Sequence, residues 1–124
     1  MKKQIYLCIL GMIFTGGVYA EWIKVIDDSQ GQFLIEEIAI KRENSVREYW
    51  AIQNLRNPTD NVKSGKGLHK VDCVSGTTEL MYMSLHSELN SGGNRLMEYV
   101  KPGLTFTVKE KPQLVPATSF VCAR

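Results

Sequence analysis

"VREYWAIQNL", residues Val46 to Leu55, decides how the rest of the chain is read. Val46, Trp50 and Ile52 share one parity, while Tyr49, Ala51 and Leu55 take the other. An extended chain projects successive side chains to opposite faces. A strand here is therefore apolar on both faces and belongs in the middle of a sheet, covered on each side. Asn57-Pro58-Thr59-Asp60-Asn61 ends the pattern, because proline lacks a ladder donor and aspartate and asparagine favour turns.

Other short runs of period-two character lie on either side. Upstream are Glu21 to Ile26, ended by Asp27-Asp28-Ser29 and Gly31, and then Phe33 to Ile40, ended by the polar turn Arg42-Glu43-Asn44-Ser45. In the second of these Leu34, Ile38 and Ile40 share a parity, opposite Phe33, Ile35 and Ala39. Downstream, Leu68 to Val74 is a fourth strand, and Val71 and Cys73 share its face. Glu79 to Ser87 is a fifth, with Met81, Met83 and Leu85 alternating against Tyr82, Ser84 and His86. A helix over Thr78 to Leu89 is the competing reading there, since Leu, Met and Glu favour helices; the clean parity and the glycine-rich tip Asn90 to Asn94 favour the strand. Arg95 to Val100 is a sixth strand, and Leu104, Phe106 and Val108 alternate as a seventh. Val115-Pro116 opens a short helical turn that runs to Cys122. The expectation is an α+β domain: a mostly antiparallel β-sheet of about six strands with a short C-terminal helical turn.

The first twenty residues have a different character. Lys2 and Lys3 precede an apolar run from Ile5 to Phe14, and Val18-Tyr19-Ala20 follows Gly16-Gly17. A charged start, a short apolar stretch and a small residue at its end make a secretory leader, cut between Ala20 and Glu21. The run is about half the roughly 20 residues that a membrane span needs. Cys8 sits inside it, away from the cleavage point, and leaves with it. Residues 21–124 then form one domain holding two cysteines, Cys73 and Cys122. An even count in an oxidising compartment predicts a disulfide between them. Such a bridge fastens the tail to the sheet and contributes about 4 kcal/mol in the chain-entropy model. Loss of Lys2 and Lys3 leaves thirteen basic and thirteen acidic residues, so the domain is neutral. No basic run speaks for nucleic-acid binding, and no membrane-spanning segment remains.

Chemistry is sparse. His86 with Asp72 or Glu79 and with Ser84 or Ser87 supplies the residue types of a hydrolytic triad, but no nucleophile elbow accompanies them. Glu36 and Glu37 are adjacent, so a strand turns them to opposite faces. Met81-x-Met83-x-x-His86 offers copper-type ligands, yet a strand places His86 opposite both methionines. We therefore expect no catalytic residues, no metal and no cofactor, and a protein that binds rather than transforms. Trp22, Trp50, Tyr49, Tyr82, Tyr99, Phe33 and Phe106 are mostly core candidates; one or two of them, with Arg47 and Arg95, suit a surface that anchors a partner.

The same residues resemble the surface-adhesin protein E family, small exported proteins of Gram-negative bacteria. Glu21-Trp22-Ile23-Lys24-Val25 is similar to its opening strand, Val46 to Asn54 to its tryptophan-bearing central strand, and Val71-Asp72-Cys73 to its strand end. Met81 to Gly93 and the closing Val115-Pro116, Thr118-Ser119 and Cys122 extend the likeness over residues 21–124. The resemblance implies a periplasmic or outer-surface binding protein whose partners are host extracellular-matrix or plasma proteins. A periplasmic inhibitor or accessory envelope protein is the alternative. Oligomeric state and binding face are not fixed by any of these residues.

Overall fold

A computed structural model of the protein describes residues 21–124. The leader, with Cys8 and the bond after Ala20, lies outside the described residues. Eight strands follow: β1 (Trp22–Asp28), β2 (Gly31–Glu36), β3 (Lys41–Glu43), β4 (Val46–Thr59), β5 (Val62–Asp72), β6 (Thr77–His86), β7 (Arg95–Val100) and β8 (Thr105–Thr107). One helix, α1 (Val115–Cys122), closes the chain. All pairings are antiparallel and the order is β1-β2-β4-β5-β6-β7. β3 continues the β2 position along β4, and β8 continues the β7 position along β6. Eight segments thus fill six positions, and residues 77–86 are a strand.

Each hairpin has a local cause. β4 and β5 are the long central pair, joined at Asp60 and Asn61, which take φ of 52° and 66°. Positive φ at both central residues twists the turn in the sense the strands need, and Asp and Asn tolerate it. Pro58 is accommodated inside β4 because the ladder slips between Asn54 and Thr59, where no donor is demanded of it. Residues 33–40 are not one strand. The chain makes a 3-10 turn over Glu37–Ala39, where Ile40 N–H donates to the Glu37 carbonyl at 3.2 Å. That turn resets the parity, so Ile40 packs on the core while Ile38 stays 70% exposed. Arg42 and Glu43, expected in a turn, pair with β4 instead.

α1 packs on one face of the sheet. Ala117 and Val121 meet Phe33, Ile35, Tyr49, Ala51 and Val71 in a buried cluster, flanked by Val25, Ile26 and Phe120. The Cys73–Cys122 disulfide joins the turn after β5 to the last residue of α1 across 49 positions. Arg124 strengthens the attachment: its Nε lies 2.7 Å from a Glu37 carboxylate oxygen, and its carbonyl accepts from Arg42 at 2.9 Å. An eight-residue helix is too short to persist alone. Its place on the sheet depends on that cluster and on the bridge.

Candidate binding face

The register of the ladders places particular side chains in rows on the face away from α1. Trp22 is opposite Glu36, Trp50 opposite Leu68, Leu68 opposite Tyr82, and Tyr82 opposite Val100. Extending the β2–β4 register by one residue sets Glu36 beside Trp50. One row therefore crosses the whole sheet as Trp22, Glu36, Trp50, Leu68, Tyr82 and Val100. The neighbouring row reads Lys24, Leu34, Ile52, Lys66, Ser84 and Glu98.

The two rows interlock. Lys66 Nζ lies 5.2 Å from the Trp50 ring centre and 5.7 Å from that of Trp22. A cation held over two indoles is attracted by their electron-rich faces. The Trp50 and Tyr82 rings meet edge to face at 5.7 Å, and the Tyr82 hydroxyl donates to the Glu98 carboxylate. Arg95 completes this edge with an ion pair to Glu98 at 2.9 Å. Trp22, Leu34, Trp50, Lys66, Leu68 and Tyr82 are each only half-buried, by one another. β4 is central, as its two-sided apolar pattern predicts, but among the described residues only one of its faces carries a second layer. The other is an open surface.

At one end of this face the polar residues close up. Asn54 exchanges two 2.8 Å hydrogen bonds with Asn90, donating to its side chain and accepting from its backbone. Ser64 Oγ donates to the Glu88 carbonyl at 2.6 Å and accepts from Ser91 N–H at 2.9 Å. Both residues are buried, and together they hold the loop around the 3-10 turn Leu89–Ser91 against the sheet. Beside them Ser84 Oγ and His86 Nε2 are 2.8 Å apart, both buried. Burial, followed by the charges of Lys66 and Arg95, holds the His86 pKa below its ordinary value.

Ser84 and His86 do meet, then, but the rest of a triad does not. Glu79 is seven residues back along β6, roughly 23 Å away at 3.3 Å per residue, and Asp72 is at the same far end. Ser87 is taken up in the turn, accepting from Asn94 N–H. Met83 faces the α1 side and His86 the open side, so the methionine–histidine set does not converge. Among the described residues no three of His, Cys, Asp and Glu gather as a metal site. No helix among them is long and apolar enough to cross a membrane.

Of the anchor candidates, Trp22, Trp50 and Tyr82 stand on the open face, while Phe33 and Tyr49 are core. Arg47 is corrected by the structure. It is buried, and its Nη1 donates to the Asn44 and Val46 carbonyls at 2.8 and 3.1 Å, so it cannot reach a partner. Sequence reasoning passed over His69. Its ring stacks on Tyr49 at 5.1 Å and meets Phe33 edge-on at 5.9 Å. Desolvation lowers its pKa to about 4, partly offset by the nearby Gly67 backbone. Its parity with Val71 was the only signal available.

The surface-adhesin protein E profile matches residues 22–123. The chain belongs to the surface-adhesin protein E family. Among solved structures it is similar to protein E of Haemophilus influenzae, with a TM-score of 0.62 at 15% identity, covering 86% of each chain. A second crystal form of that protein gives 0.61 at 16%, covering 86% of this chain and 90% of that one. Protein E from the non-typeable organism gives 0.58 at 16%, covering 86% and 78%. At these identities the likeness is one of fold. No curated protein matches the chain. The family is one of surface adhesins, and the antiparallel sheet with its disulfide-held C-terminal helix is the protein E-like fold.

Proposed function

We propose that this chain is an exported, non-catalytic adhesin that engages a protein of the host extracellular matrix or plasma through the open face of its sheet. The observation that carries the reading is the row Trp22, Trp50, Leu68 and Tyr82, half-exposed on a face that no helix among the described residues covers. Large aromatics beside cations are the residue types that dominate protein–protein binding energy. Here Lys66 and Arg95 supply the cations. Asp72 and Glu79 stand at the far end of the sheet from the Ser84–His86 pair, and Glu98, opposite Ser84, is engaged by Tyr82 and Arg95, which supports a binding role over hydrolysis. Export, with cleavage between Ala20 and Glu21, is supported by the leader's composition and by a disulfide that persists best in oxidising surroundings.

Two measurements test this. The purified domain, residues 21–124, is passed over immobilised matrix and plasma proteins beside a Trp50→Ala variant. A hot-spot residue costs at least about 2 kcal/mol when truncated, so binding weakens about thirtyfold. Background signal across the whole panel, or equal binding by the two proteins, refutes the reading. Intact mass of the natural product, with protease shaving of whole cells, tests location. A chain starting at Glu21 and accessible to protease is expected. A protected periplasmic pool refutes the surface role and favours an inhibitor or accessory envelope protein.

A further inference from the structure

On the α1 side, beyond the helix, lies a groove of about 550 Å³ that neither the fold nor the proposed function uses. Its walls include Leu55, Val62, Leu80, Met83, Leu85 and Phe106, and its floor is β5 at Gly65 and Gly67. Neither glycine has a positive φ, so the backbone does not require them. A methyl group at Gly67 would press on His69 Cε1 and Leu80 Cδ1 at 3.1 Å, which accounts for that glycine by packing. Gly65 has no such reason. The nearest atom to an added carbon is Leu85 Cδ2 at 3.5 Å, an ordinary contact. Glycine weakens a strand interior and often marks a place where something else comes close. At position 65 its effect is to keep the groove floor open.

Lys66, Glu110 and Lys111 are the acidic and basic residues that line the groove, and the Lys66 ammonium is held over the tryptophans of the other face. Glu110 is turned back into its own turn, where it accepts from Thr107 N–H and Oγ1 at 3.1 Å each. Lys111 is exposed beside it and makes no ion pair among the described residues. His69 in the wall is neutral at physiological pH. The groove therefore offers a largely apolar bed with the unpaired ammonium of Lys111 at its edge, beside a Glu110 carboxylate engaged by Thr107, and its volume falls in the range of small-molecule sites. We propose that it binds a free long-chain carboxylic acid, the hydrocarbon chain lying over Gly65 and Gly67 and the carboxylate beside Lys111.

The test is fluorescence titration of the folded domain with 11-(dansylamino)undecanoic acid, followed by displacement with lauric acid or dodecanol. Saturable binding displaced by lauric acid is expected. Gly65→Leu, which fills the floor, and Met83→Trp, which narrows the wall, each weaken it at least tenfold. Lys111→Gln weakens lauric acid several-fold and leaves dodecanol unchanged. Thermal melting of each variant establishes that it is folded. The proposal is overturned if folded wild type shows no saturable binding up to about 100 μM, or if Gly65→Leu and Met83→Trp both bind as wild type does. It is equally overturned if Lys111→Gln treats acid and alcohol alike, or if Trp50→Ala on the opposite face abolishes binding.

Discussion

Acidification should destabilise this domain through His69, and the size of the effect follows from its surroundings. The ring lies between Tyr49 and Phe33, and its Nδ1 is enclosed without a hydrogen-bond partner. Burial lowers its pKa from an ordinary 6.5 to about 4. Above pH 6.5 the imidazole is neutral in both folded and unfolded chains, so stability does not depend on it. As pH falls below 6.5 the unfolded chain takes up the proton first, and stability is lost at up to about 1.4 kcal/mol per pH unit. The loss levels off below pH 4, where the folded form also protonates. Between pH 7.5 and pH 5 it amounts to about 2 kcal/mol. His86, whose pKa is also lowered, adds in the same direction. Comparison with His69→Phe isolates the effect, since phenylalanine keeps the aromatic contacts and cannot titrate. Urea unfolding at the two pH values should give a drop about 2 kcal/mol smaller for His69→Phe than for wild type. Equal drops would refute the reasoning.

Three further outcomes are expected. Replacing Cys73 and Cys122 by serine releases a closure of 49 positions and costs about 4 kcal/mol in urea unfolding, with α1 the first element to lose its hydrogen-exchange protection. Gly31→Ala is destabilising by at least about 3 kcal/mol, or abolishes folding, because φ there is 142° and a Cβ would stand 1.8 Å from the Asn54 carbonyl oxygen; thermal melting decides it. Asn54→Ala leaves the Asn90 amide without its acceptor and costs about 2 kcal/mol, with faster amide exchange confined to the loop at Glu88–Gly92.

Much of the sheet was legible because its strands alternate cleanly. Arg95 to Val100 and the core parity of Tyr49 and Ala51 read directly, and the cysteine count led to the observed bridge. Parity misleads where the chain leaves the strand without a proline or glycine to say so. Glu37-Ile38-Ala39 carries no breaker, so Ile38 and Ile40 looked like neighbours on one face when a 3-10 turn separates them. Leu80 replaces Met81 on the α1 side for a related reason, a register shift opposite Leu68 and His69. The open face was hidden by a deeper ambiguity. Trp50 and Ile52 give the same apolar alternation whether a second layer or a separate partner covers them. Nor does a single chain reveal that Gly65 floors a groove, since that depends on Leu85 and Met83 arriving from β6.

Both tryptophans of the chain, Trp22 and Trp50, lie on the open face, which makes fluorine NMR of 5-fluorotryptophan-labelled protein the most direct test of recognition there. Titrated with a matrix or plasma protein that it binds, the labelled domain should show both resonances shift or broaden to saturation. Resonances that stay in place while the partner is fully bound would put the contact elsewhere and contradict the account.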